Sequence, residues 1–347
     1  MTSRENGEKM TRKFAPLIYC LVFMIILSAC ARAAPGVKEP YEPVTLKMNY
    51  ALVTSYAPII IAEAEGYFAE YGIEIEKISF NSSVEAIPLV VNGEMDIYAG
   101  ATSAGIFNVL AKEENIRVVA DRGHISPDGC TFQAIVVRKD LVESGEIKEG
   151  KDLAGHTIST PPTGPGIYFL SKYLEQNGLS LEDVEITDIP TASYIDALNN
   201  KAVDAIVPTE LHLSRIMAAG GAEILARSED VVGYYQTSVL AFGKNLLHDN
   251  PDVGVRFLAA YLKGVEKYNE GKTERNLQIL ADATGESAEV LRNSCWISIS
   301  ADGMIDFSEI DKFQQWAFGA GLLDSIITEE QFWNPSFLTK AQDLLNN

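Results

Sequence analysis

Residues 44–80 read VTLKMNYALVTSYAPIIIAEAEGYFAEYGIEIEKISF, and this stretch decides the fold class. VTLKMNYA (44–51) alternates apolar and polar side chains as a strand does. Thr54-Ser55-Tyr56 follows, and then a helix whose first turn holds Pro58, where a missing backbone N–H is tolerated. Gly66 is placed to cap the end of that helix. IEIEKISF (73–80) is a second alternating strand. Strands that alternate with helices in this way specify an α/β domain.

The rhythm continues downstream. Ser83 to Asn92 reads as a helix closed by Gly93, MDIYAG (95–100) as a strand, Ala104 to Glu113 as a helix and IRVVAD (116–121) as a strand. QAIVVRKD (133–140) is a longer strand, followed by a polar, glycine-containing stretch and the strand His156 to Ser159. Pro161-Pro162-Thr163-Gly164-Pro165-Gly166 opens a helix from Ile167 to Gln176. VEITDI (184–189), a helix from Ser193 to Asn200, and VDAIVP (203–208) repeat the pattern. VVGYYQTSVLAFG (231–243) reads as extended, and from Pro251 the chain is mostly helical, interrupted around Cys295 to Gly303. Two segments echo each other, LVVNGEMDIYAGAT (89–102) and ALNNKAVDAIVPTE (197–210). They pair Asn92 with Asn200, Asp96 with Asp204 and Thr102 with Thr209, as two homologous lobes would.

Upstream, Arg12 and Lys13 precede an uncharged run from Phe14 to Ala29 that ends in Leu27-Ser28-Ala29-Cys30. A basic region, an apolar region and a small-residue cleavage site make a signal peptide, with Met1 or Met10 as its start. The terminal Cys gives it the form of a bacterial lipobox, cut before Cys30 and lipidated there, palmitate among the acyl groups. The alternative is an uncleaved anchor, since Phe14 to Ala31 is just long enough to span a bilayer. Residues 31–43, with three prolines, read as a short tether.

Residues 1–29 hold four Lys/Arg and two Asp/Glu, so the remaining 318 residues carry 24 basic and 46 acidic groups, a formal charge of −22. That balance argues against a nucleic-acid partner and against docking on anionic lipid by charge. The remaining length suits two lobes. Besides Cys30, only Cys130 and Cys295 remain, and they can be free or paired. The four histidines are scattered without ligand spacing, so no metal and no cofactor is expected.

Ala57-Pro58, Ala62-Glu63, Glu65-Gly66-Tyr67-Phe68 and Tyr71-Gly72-Ile73 together resemble a signature of extracytoplasmic solute-binding proteins. The group concerned serves ABC importers for nitrate, sulfonate, taurine and thiamine-pyrimidine precursors. Ala86 to Asp96, Lys151 to Ser159 and Val203-Asp204-Ala205 resemble further segments of that family, over roughly residues 45–245. The resemblance implies a type II periplasmic-binding fold, in which two α/β lobes are joined by two crossing strands with the ligand cleft between them. On that plan residues 1–29 are the signal, 30–43 the lipidated Cys and tether, 44–132 with 244–347 lobe 1, and 133–243 lobe 2. Gln133 to Lys139 leads out of lobe 1 and Thr237 to Gly243 leads back.

Ligands in open α/β sheets sit beyond the carboxyl ends of strands. Thr54, Ser55 and Tyr56 follow the first strand, Asn81, Ser82 and Ser83 the second, and Thr102 and Ser103 the third. Thr160, Thr163 and Gly164, then Thr191 and Ser193, then Thr209 and Glu210 follow strands of the other lobe. Each hydroxyl can equally be a helix N-cap; their recurrence at equivalent strand ends favours a binding role. Tyr56, Phe132, Tyr168, Tyr194 and Tyr235 can stack on a planar ligand, and Trp296 can close over the cleft or anchor a loop. Arg122 is the best-placed cation for an anionic group, or else makes a hinge or surface salt bridge.

These features predict a monomeric, lipid-anchored, exported receptor of an ABC importer that closes on a small organic solute. The solute is expected to be a heteroaromatic, pyrimidine-like molecule or a sulfonate or carboxylate, delivered to permease and ATPase partners. The alternatives are a sensor feeding a signalling partner and an enzyme similar to thiamine-pyrimidine synthase. The latter chemistry uses a run of cysteines, which this chain lacks.

Overall fold

The computed structural model describes residues 41–51, 54–80 and 82–346. The expected signal, Cys30 and nearly all of the tether lie outside the described residues, and so does Asn81. Among the described residues ten strands run in chain order: β1 Val44–Tyr50, β2 Ile73–Ser79, β3 Ile97–Ala101, β4 Ile116–Ile125, β5 Ala134–Arg138, β6 Thr157–Ser159, β7 Glu185–Thr187, β8 Ala205–Ile206, β9 Ala222–Arg227 and β10 Tyr235–Gly243.

They form two five-stranded sheets with one plan. The first has the order β2-β1-β3-β10-β4 and the second β7-β6-β8-β5-β9. In the first, β1 pairs parallel with β2 and β3, while β10 runs antiparallel to β3 and β4. In the second, β6 pairs parallel with β7 and β8, while β5 runs antiparallel to β8 and β9. The fourth place in each sheet is thus held by the strand adjoining a crossing between lobes, β5 on the way out and β10 on the way back. Both are buried along their whole length, as strands covered on two faces are.

The two echoing segments occupy matching third places, β3 and β8. Asp96 accepts from Lys47 N at 2.8 Å and Asp204 accepts from Thr157 N at 3.0 Å, so each carboxylate fastens the turn before its strand to the parallel neighbour. The paired aspartates are therefore the same structural part used twice.

In the second lobe, strand alternation sends Ile135 and Val137 into a core with Phe169, Leu170 and Leu174 of the helix Pro165–Gln176. Ala134 and Val136 face the other core, with Tyr194, Leu198 and Ile216. In the first lobe, the long helix Pro251–Asn269 lies against Ala57–Ala64. Gly264 makes that approach possible, because a Cβ there would stand 2.2 Å from Pro58 O.

Three local expectations needed correction. The segment between 208 and 231, left unassigned by patterning, holds the helix His212–Ala219 and the edge strand β9. The strand expected to run to Asp140 ends at Arg138, and the helix Lys139–Ser144 follows at once. The strand expected to stop at Asp121 runs on to Ile125, pairing with β10 through irregular register. Its extension is polar yet buried, so hydropathy could not announce it.

Candidate ligand-binding cleft

The carboxyl ends of the parallel strands in both sheets converge on one cavity of about 280 Å³. Six expected residues of the first lobe line it, Ser55, Tyr56, Ser82, Ser83, Ser103 and Arg122, and on the second lobe Thr160, Thr163, Gly164 and Tyr194 do so. Phe132, Thr191 and Thr209 also reach the wall. Patterning missed Gln133, Thr237 and Ser238, which belong to or adjoin the long strands of the crossings. In the sequence Gln133 marks only the start of the strand that leads out of lobe 1, beside the aromatic Phe132. The lobes meet across the cleft, with Ala104 N donating to Thr163 O at 2.9 Å and Trp316 Nε1 donating to Ser171 Oγ at 2.8 Å. This is a closed arrangement.

Arg122 dominates the electrostatics. Its residue is 3% exposed, yet among the described residues its guanidinium has no carboxylate partner. It donates to Ser55 Oγ at 2.8 Å and lies 4.2 Å from the centre of the Tyr56 ring. Tyr56 is itself held in place, donating to Ala99 O and accepting from Asn49 Nδ2 at 3.0 Å. Burial raises the Tyr56 phenol above its ordinary value, with Arg122 opposing. The adjacent Asp121 does not neutralise Arg122, because it is committed elsewhere. Its oxygens accept from Gly123 N, Gln236 Nε2, His124 Nδ1 and Ser300 N at 2.7 to 2.9 Å. A buried charge without a counter-ion is costly, and a cation so placed in a cavity suits an anionic group.

Around it, the Ser103, Thr160 and Tyr194 hydroxyls and Gln133 Oε1 are buried without a hydrogen-bond partner in good geometry among the described residues. Ser103 stands at the start of a helix but makes no side-chain capping bond there, whereas Ser82 does cap, accepting from Val84 N at 3.4 Å. Gly166, the second residue of the helix Pro165–Gln176, is pressed to the wall. A Cβ on it would stand 2.3 Å from Thr160 Oγ1.

The family description NMT1/THI5 like matches residues 53–271. The chain belongs to this family. The Riboflavin-binding protein RibY of Chloroflexus aurantiacus is 22% identical over 267 residues, covering 73% of this chain and 74% of the relative. A formylaminopyrimidine-binding protein of Halalkalibacterium halodurans is 22% identical over 294 residues, 79% of this chain and 84% of the relative. The periplasmic aliphatic sulphonate binding protein SsuA of Escherichia coli has the same fold, with a TM-score of 0.67 at 18% identity over 85% of this chain and 93% of that one. The two-lobed periplasmic-binding fold expected from the resemblance is the fold of this NMT1/THI5-like chain.

Several expected residues sit off the cavity wall in this NMT1/THI5-like protein. Thr54 and Thr102 are buried behind it, and Thr102 N donates to Thr237 O at 2.9 Å. Tyr235 packs on Tyr168 with ring centres 4.9 Å apart, within the aromatic core that also holds Phe313. Trp296 does not close the cleft: it stacks on Tyr268 at 5.2 Å, and its indole N–H donates to Leu291 O at 3.1 Å. Glu210 is likewise directed away. It accepts from Cys295 N at 3.1 Å and from Ser214 N and Oγ at 3.2 and 2.9 Å, and burial raises its carboxyl above the ordinary value. Cys295 is bonded to Cys130, their Cα atoms 5.4 Å apart. The loop after β4 is thereby tied covalently to the C-terminal helical region, beside the Glu210 contact. Among the described residues no helix is long and apolar enough to cross a membrane.

Proposed function

We propose that this protein is the solute-binding receptor of an ABC importer, closing by hinge motion on a small organic molecule without transforming it. The single observation that carries the reading is the cavity between the lobes, where buried Arg122 lacks a carboxylate partner and faces unbonded polar groups of the opposite lobe. A ligand that touches both lobes favours the closed state by its differential contacts. The named binding functions of the relatives support the same reading. Arg122 also favours a ligand with an anionic group, such as a sulfonate or carboxylate, over a wholly neutral ring.

The Leu27-Ser28-Ala29-Cys30 motif supports anchoring through lipid on Cys30, with the tether holding the receptor near its permease and ATPase partners. A thermal-shift screen against taurine, alkanesulfonates, aromatic carboxylates, pyrimidines and flavins tests the binding reading. A stabilising ligand recovered chemically unchanged after incubation supports it; turnover of that ligand overturns it in favour of an enzyme. Membrane fractionation of wild type and Cys30→Ala tests the anchor, with release of the variant into the soluble fraction expected.

A further inference from the structure

The unsatisfied groups of the cavity are not alike on its two sides. On the first lobe stands a cation, Arg122, whose Nε is among the buried atoms without a partner. On the second lobe stands a neutral set. Gln133 is 2% exposed, its Oε1 is buried without a partner, and no described residue bonds its side-chain nitrogen. Thr160 Oγ1 is in the same state, on a residue that is 0% exposed. Both line the one cavity with Arg122.

A free primary amide presents an acceptor and a donor side by side at fixed spacing. Its complement is another such edge, with adjacent N–H and C=O, as in a lactam, an imide or a ureide ring. Buried amide groups that stay unpaired destabilise, so the partner must supply both halves. Flipping the Gln133 amide exchanges its oxygen and nitrogen but leaves the complement an adjacent donor and acceptor.

Resting on the receptor reading above, we infer that the ligand has two unlike ends: an anionic group held at Arg122 and an amide-like hydrogen-bonding edge read by Gln133 with Thr160. The second lobe then selects among anions, and a simple sulfonate or carboxylate satisfies only half the site. A ring of this kind is flat, and the walls offer it Tyr56, Phe132 and Tyr194.

Titration calorimetry of the full-length protein with three probes tests this. Orotate carries both ends, benzoate only the anion and uracil only the edge. Orotate is expected to bind at least about tenfold more tightly than either of the others, as a site built to hydrogen-bond a group rejects analogues that lack it. Gln133→Leu should bring orotate down to the level of benzoate, with a circular dichroism spectrum like that of wild type showing that the variant is folded. Benzoate binding as tightly as orotate, or orotate unaffected by Gln133→Leu, overturns the two-ended ligand and leaves the receptor reading standing. Binding of none of the three overturns it as well. If taurine, nitrate and riboflavin then also fail, the receptor reading falls with it.

Discussion

Arg122 lies over the ring of Tyr56, 4.2 Å from its centre, and Asp121, its neighbour in the chain, points the other way into a cluster of four donors. Successive side chains of β4 alternate across the sheet. The alternation separates an acid from a base that sequence proximity would pair. The result is a cation stabilised by an aromatic face and left with capacity for a ligand.

Removing that cation should therefore uncouple stability from binding. Arg122→Met takes away a buried charge that lacks a counter-ion, so the melting temperature of the unliganded protein is expected to stay level or rise by about a few degrees. The shift produced by an anionic ligand should vanish. Melting curves with and without ligand decide it; a large fall in the unliganded value would mean that the contacts with Ser55 and Tyr56 outweigh the cost of the buried charge.

Gly166 lines the cavity on the second lobe with no free room for a side chain. Gly166→Ala would set a methyl 2.3 Å from Thr160 Oγ1 and drive that hydroxyl toward the ligand. Affinity should drop by at least about tenfold, a free-energy loss of roughly 1.4 kcal/mol. Circular dichroism should stay unchanged, because alanine favours the helix more than glycine does. Unaltered affinity would place the ligand elsewhere.

Glu210 carries a pH dependence whose sign follows from its burial. Desolvation raises its carboxyl above the ordinary 4.5, against three hydrogen bonds and the attraction of Lys272, which act to lower it. The folded protein then keeps this proton at pH values where the unfolded chain has lost it. This group's contribution to stability is greatest below the unfolded value and declines as pH rises toward the folded one. Glu210→Gln removes the decline, so the variant should gain on wild type in urea unfolding as pH rises above 4.5. Parallel stability profiles would sink the idea.

Replacing both Cys130 and Cys295 by serine opens a closed loop with a sequence separation of 165 residues. Constraint of so long a loop in the unfolded chain is worth about 2–5 kcal/mol. The double variant should show a correspondingly lower urea midpoint with an altered unfolding slope, while ligand affinity, set at a separate place in the cleft, stays within about twofold.

How much of this was legible in the sequence divides by physical kind. The βαβ rhythm, Gly66 as a cap and the paired Asp96 and Asp204 were readable because each rests on local periodicity or a turn. Ser55, Ser103, Thr160 and Thr163 were placed by a topological rule, since strand ends converge whatever the side chains do. Glu210 and Tyr235 obeyed the same rule in sequence, yet point elsewhere, because side-chain direction at a strand end depends on tertiary partners such as Cys295 and Tyr168. Gln133 escaped notice for a similar reason. It stands just before an apolar strand, and only the opposing lobe reveals that its amide is unpaired.

The fourth-place strands also dictate an order of assembly. As the chain emerges, β3 and β4 cannot meet, because the slot between them belongs to Tyr235–Gly243, still to come. The second sheet needs nothing beyond Arg227 and can close at once. The half made later is thus the half that can finish first, and the first half waits, with its sheet open, for the returning strand.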